Sequence, residues 1–120
     1  MNQGEGAATD LYQRARAGDF RLDVATARHC AATFLRFAAM LDPHIDRSHR
    51  VHTLGGFGDF GSARQLRRGF ERKGRDLTGT LTALRSSAED MAAAYLLAAG
   101  LIRATDDTHS RALLTTAAGL

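Results

Sequence analysis

The second half of the chain carries mostly apolar residues at alternating steps of four and three, and this spacing constrains the fold more than any other feature. The stripe consists of Phe70, Gly74, Leu77, Leu81, Leu84, Ala88, Met91, Tyr95, Ala98 and Ile102. Such a repeat lines one side of a helix that packs against another helix. It predicts a helix over 62–105, with Ser62 as its N-cap.

A similar stripe occupies the first half. Its members are Val24, Ala27, Ala31, Phe34, Ala38, Leu41, Ile45 and Ser48. The spacing predicts a helix over 24–52, for which Asp19 or Asp23 is the N-cap. Pro43 lies inside this range and supplies no backbone N–H, so the sequence predicts a kink or a break near residues 39–41 and leaves the continuity of the helix open.

Composition favours an all-α fold, because the chain has 22 Ala but only two Val and two Ile. We expect a disordered segment over 1–18, a helical hairpin over 19–108 and a flexible tail over 109–120. Two antiparallel helices enclose no core of their own. The sequence therefore predicts that the hairpin dimerises into a four-helix bundle.

The predicted corner over 54–61 contains GGFGDFG, in which Gly56, Gly58 and Gly61 spell G-x-G-x-x-G. A dinucleotide site needs a strand before these glycines, whereas here a helix pattern precedes them. We therefore expect no nucleotide cofactor. The glycines permit turns with positive φ, and Phe57 and Phe60 are expected to cover the end of the hairpin.

Three histidines follow Pro43, namely His44, His49 and His52, with Asp42 and Asp46 among them. His49 and His52 are spaced to share a metal ion on a helix, but no third ligand converges with them. We expect a solvated polar turn without a metal. Titration of these histidines is a possible source of pH-dependent dimer stability.

The sequence shows no active site. Glu89 and Asp90 are adjacent and so point to different sides of a helix, which makes them a poor acid–base pair. Cys30 follows His29 directly, and neighbours on a helix point about 100° apart. We expect a protein that is not an enzyme and has no cofactor.

Basic residues crowd the start of the second predicted helix, although the net charge of the whole chain is only +3. They are Arg64, Arg67, Arg68, Arg72, Lys73 and Arg75. Arg64, Arg68, Arg72 and Arg75 share one side of the helix, which could bind phosphates. Aromatic residues do not alternate with them, as stacking on bases would need, so a solvated side or a patch for an acidic partner is the other interpretation.

No secretory signal precedes the first helix and no run of 18 apolar residues occurs, so we expect a protein without a membrane span. It would remain in the cytoplasm, or be secreted by a route that needs no cleaved signal peptide.

Residues 54–77, LGGFGDFGSARQLRRGFERKGRDL, and the Ala-rich stretch ending in AAAYLLAAGLIRATDD resemble the WXG (ESAT/Esp-type) superfamily. The Arg and Ala bias is typical of GC-rich actinobacterial genes. The resemblance covers about 20–107 and implies a helical-hairpin substrate or partner of an actinobacterial type VII secretion system.

This chain departs from the superfamily in two places. The superfamily has Trp-x-Gly at its corner, whereas Phe57 or Phe60 stands nearest that position here. Its export signal is Tyr-x-x-x-Asp/Glu, whereas Tyr95 is followed four residues later by Ala99, a degenerate motif. Because one member of a pair can carry the signal for both, the resemblance implies a co-secreted partner or a targeting chaperone.

The first hypothesis is therefore a binding seam for a homologous or effector-borne hairpin, as a homodimer or a heterodimer. The seam residues are Phe34, Leu41, Ile45, Phe70, Leu77, Leu81, Leu84, Met91, Tyr95 and Ile102. One alternative is a small basic nucleic-acid-associated protein that uses the patch from Arg64 to Arg75. Another is an antitoxin or immunity-type binder.

Overall fold

The computed structural model describes residues 3–52, 55–56, 58, 61–104 and 110–120. Within these ranges the chain forms four helices and no strand. They are α1 (Gln3–Ala17), α2 (Val24–His49), α3 (Gly61–Ala98) and α4 (Arg111–Ala118). The prediction of an all-α protein is confirmed.

α2 begins where the sequence predicts. The backbone N–H of Thr26 donates to Asp23 Oδ2 at 3.0 Å, and the Thr26 hydroxyl donates to Asp23 Oδ1 at 2.7 Å, so Asp23 is the cap. The helix continues through Pro43 without a break and ends at His49, three residues before the predicted end. Residues 50–52 form a turn.

α3 differs from the prediction at both ends. It begins at Gly61, so Ser62 lies inside the helix and is not its N-cap. It ends at Ala98 rather than at 105, because Gly100 adopts a φ of +72°. Gly100 N–H donates to Leu97 O at 3.0 Å and Leu101 N–H donates to Leu96 O at 2.9 Å, which is the Schellman arrangement that closes a helix.

Two helices occupy segments expected to be irregular. Segment 1–18, which the sequence predicts to be disordered, is mostly α1 in the structure; this helix ends at Ala17 and is followed by Gly18, whose φ is +84°. Within 109–120, which the sequence predicts to be a flexible tail, the structure has α4, which follows the N-cap Ser110, whose hydroxyl accepts from Leu113 N–H at 3.1 Å. Each helix buries apolar side chains, and such burial stabilises short helices more than local propensity does.

The chain divides into two compact units. The terminal unit comprises residues 1–39 and 84–120. Its core consists of Ala31, Leu35, Ala92, Ala93, Leu96, Leu114 and Ala118. The ring of Tyr95 packs against this core, stacked on Phe34 at 5.7 Å between ring centroids and edge-on to Phe20 at 5.9 Å. Burial, with a smaller effect of nearby Cys30, raises the pKa of the Tyr95 hydroxyl.

The central unit comprises residues 40–83, and its helical segments are the end of α2 and the start of α3. The turn after α2 approaches α3 closely at Gly74, where an added Cβ would lie 2.6 Å from the Val51 Cβ. The buried hydroxyls of Ser48 and Thr78 are hydrogen-bonded at 2.6 Å, and His52 Nε2 bonds Thr78 Oγ1 at 2.8 Å. The central unit therefore has two helical segments where the terminal unit has four.

Candidate protein-binding surface

Three large apolar side chains of the central unit are about half exposed on α3. Leu66 is 54% exposed, and Phe70 and Leu77 are each 49% exposed. At 3.6 residues per turn they lie within about 40° of one another around the helix. We call these three residues the α3 apolar face. Grouped exposed apolar residues of this kind typically mark an interaction site.

An apolar pocket of the central unit includes one member of this face. The pocket has a volume of about 350 Å³ and is lined by His44, Arg47, Ser48, Val51, Leu77 and Leu81. Arg47 Nη2 donates to His44 Nδ1 at 2.8 Å, so a guanidinium group lies beside the apolar lining. The pocket thus offers contacts to an apolar side chain and to a nearby carboxylate.

Charge is distributed unevenly along the chain. Residues 40–83 contain eight Lys and Arg against five Asp and Glu, which accounts for the whole net charge of +3. Exposed Lys73 lies about 20° beyond Leu66 around the helix, at the edge of the α3 apolar face. Exposed Arg64, Arg68, Arg72 and Arg75 lie on the opposite side of α3 from the α3 apolar face. The basic cluster of α3 therefore lies opposite the α3 apolar face, and Lys73 is the basic residue at the edge of that face.

The predicted seam residues do not share one environment. Leu41 and Ile45 are buried, Phe70, Leu77 and Leu84 are exposed, and the others are half-buried. Tyr95 and Ile102 pack against the core of the terminal unit. The seam prediction omits Leu66, although its position four residues before Phe70 on the same stripe was a signal for it.

The glycine corner behaves as predicted where it is described. Gly56 and Gly58 are exposed with φ values of +82° and +84°, while Gly61 is the first residue of α3. The expected contacts of Phe57 and Phe60 lie outside the described residues.

The degenerate export motif falls on packed residues. Tyr95 is held between two aromatic rings, as described above, and Ala99 lies in the turn that follows α3. Neither position offers an extended, solvated segment in this structure.

The histidines that follow Pro43, and the other titratable candidates Glu89 and Cys30, form no metal cluster in the part of the chain that is described. The rings of His49 and His52 lie 4.8 Å apart, but no group of three or more His, Cys, Asp or Glu is placed to hold a metal there. Glu89 accepts from Arg111 Nε at 2.7 Å, and Cys30 is half-buried.

Comparisons with protein-family models, curated proteins and solved structures give no match. Among the described residues, no helix combines the length and the hydrophobicity needed to cross a membrane.

Proposed function

We propose that this chain is a non-enzymatic protein-binding module in which α2 and α3 act as a helical hairpin. The observation that carries the proposal is the exposure of Leu66, Phe70 and Leu77 together on α3. Burying one leucine or phenylalanine side chain fully contributes about 1.5–3 kcal/mol. Three half-exposed residues therefore leave several kcal/mol to be gained when a partner helix covers them.

The partner is a helix from a different chain, with an apolar stripe flanked by acidic residues. A second copy placed on the same surface would bring two units of charge +3 together, which is unfavourable. Carboxylates beside the stripe would instead pair with Lys73 and Arg47, which lie at the apolar residues. Charge complementarity thus favours a heterodimer over a homodimer.

The biological setting is a type VII secretion system, in which the chain acts as a co-secreted partner or a targeting chaperone. This part rests on the resemblance of residues 54–77 and of the Ala-rich helix to the WXG superfamily. The partner hairpin would complete a four-helix bundle and would carry the complete export signal. Export is tested by looking for the chain in the medium of cells with and without a working type VII system.

Binding is tested with two synthetic helical peptides that share a leucine heptad stripe and carry either Glu or Lys beside it. We expect the Glu-flanked peptide to bind and the Lys-flanked peptide to bind at least tenfold more weakly. Leu77→Asp should abolish binding, because the complex would bury an unpaired charge, whereas Gln65→Asp, which adds the same charge at another exposed position, should not.

Three results would contradict this proposal. Equal affinities for the two peptides would remove the acidic partner. Unchanged binding by the Leu77→Asp variant would remove the α3 apolar face as the site. A mass of twice 12.9 kDa in light scattering of the protein alone would assign the face to a second copy.

A second candidate function is nucleic-acid binding by the exposed side of α3 that carries Arg64, Arg68, Arg72 and Arg75. The salt dependence of the binding affinity distinguishes the two functions. Phosphate binding falls steeply between about 50 and 200 mM salt, whereas an apolar helix contact changes little. Fluorescence anisotropy with a labelled duplex and with the Glu-flanked peptide, each measured over this salt range, distinguishes them.

A further inference from the structure

The terminal unit contains an apolar pocket of about 240 Å³ that the proposed function does not use. Phe34 and Phe37 of α2 line one part, and Leu84 and Met91 of α3 line another. The remaining lining consists of two alanines and Ser87. Aromatic rings and a thioether adapt well to flat apolar ligands, because the rings stack and the methionine chain can change rotamer.

Ser87 is the one polar residue of this lining, and its hydroxyl is unusual. The residue is only 6% exposed, and its Oγ has no hydrogen-bond partner among the described residues. Three helical threonines instead donate their hydroxyl to the backbone carbonyl four residues earlier, each at 3.0 Å. The pairs are Thr33 and His29, Thr78 and Gly74, and Thr116 and Ala112. A buried hydroxyl without a partner costs free energy that a suitably placed ligand group would recover.

We propose that this pocket binds a small two-ring aromatic molecule that carries one hydrogen-bonding group, such as a hydroxyl. The rings would lie between the phenylalanines and Met91, and the polar group would bond Ser87 Oγ. The volume supports this size, since an engineered apolar cavity of roughly 150 Å³ already holds a single benzene ring. An ion or a sugar is excluded by a lining that offers one hydroxyl and otherwise carbon and sulfur.

The test uses 2-naphthol and, as its isostere, 2-methylnaphthalene, which carries a methyl group in place of the hydroxyl. The chain has three methionines, so labelling their methyl groups with ¹³C gives three resonances that Met→Leu variants assign. Met91 lines the pocket, whereas exposed Met40 belongs to the central unit and serves as the internal control. Titration of the Met91 methyl shift gives the affinity of each probe.

We expect 2-naphthol to shift the Met91 resonance and not that of Met40. Ser87→Ala should weaken 2-naphthol binding by roughly 2- to 12-fold, the value of one net hydrogen bond, and should leave 2-methylnaphthalene binding unchanged. Ser86→Ala is the matched control, because Ser86 is the exposed neighbour on the same helix. It should change neither affinity.

Several results would overturn the assignment. They are an unmoved Met91 resonance, equal shifts of Met91 and Met40, and a 2-naphthol affinity that Ser87→Ala leaves unaltered. The assignment is independent of partner binding, since Leu77→Asp should abolish peptide binding and leave the Met91 titration as it is. Failure of one proposal therefore does not imply failure of the other.

Discussion

Asp23 shows how a single side chain sets the start of a helix. Its carboxylate accepts from the hydroxyl and from the backbone N–H of Thr26, and these bonds hold the pKa of Asp23 below its ordinary value of 3.8. The sequence predicts Asp19 or Asp23 as the cap, because capping depends on residues within one turn, and the structure shows that it is Asp23. The positive φ values of Gly56 and Gly58 are predictable for the same reason, because they depend on the glycine residues themselves.

The lowered pKa of Asp23 predicts a pH dependence of stability. Because the folded value lies below the unfolded one, the stabilisation is complete above about pH 4 and is lost as the pH falls through the folded pKa. Asp23→Asn still offers a capping oxygen but cannot titrate. In urea unfolding curves, the stability advantage of the wild type over Asp23→Asn at pH 6 should therefore shrink as the pH falls below about 4.

Asp19→Asn is the control for this measurement. Asp19 is exposed and does not cap α2. Its variant keeps the two hydrogen bonds from Thr26 to Asp23 and should change the urea midpoint at pH 6 little. A wild-type advantage over Asp23→Asn that persists unchanged at acid pH would contradict the capping role of the carboxylate.

At the scale of the elements, periodicity predicts α2 and α3 and the start of α2, but not the end of α2 or either end of α3. The apolar stripe continues to Ile102, so it gives no sign that Gly100 has already closed α3. The sequence does not predict α1 and α4, and the reason is different. Ala8 and Leu114 are fully buried, and Leu114 is buried among residues of α2 and α3 that are distant in sequence, so composition within 1–18 or 109–120 does not reveal this burial.

We predict that replacing glycine with alanine has opposite effects on stability at two positions of α3. Gly74→Ala should lower stability, because the new Cβ would lie 2.6 Å from the Val51 Cβ and 3.0 Å from the Val51 backbone carbon. Gly79→Ala should raise stability by about 0.5–1 kcal/mol, because nothing lies within 4 Å and alanine favours the helix. Urea midpoints of the two variants check the prediction. Equal midpoints would contradict the close approach of Val51 to α3 at Gly74.

At the scale of the whole molecule, the structure changes the argument for a partner. The sequence predicts that two bare helices lack an enclosed core, yet α1 and α4 supply core residues in the terminal unit. The argument therefore applies to the central unit alone, which has two helical segments, the α3 apolar face and the whole net charge. Packing between residues distant in sequence, which no local pattern reports, decides to which part of the chain the proposal of a partner applies.

The packing of α4 predicts that two adjacent leucines contribute very differently to the free energy of unfolding. Leu114 is fully buried in the core of the terminal unit, whereas Leu113 is 54% exposed. Leu114→Ala should lower the free energy of unfolding by about 2–5 kcal/mol, the range for a buried leucine. Leu113→Ala should change it by no more than about 0.5 kcal/mol.

Circular dichroism in urea measures both variants, and the two substitutions remove the same atoms from the same helix. Any difference between them therefore reports tertiary burial rather than helix propensity. Since a domain of this size is stable by about 5–15 kcal/mol, the loss at Leu114 would be a large fraction of the total. Equal midpoints for the two variants would mean that α4 does not pack in the core, and the two-helix argument for a partner would then extend to the terminal unit.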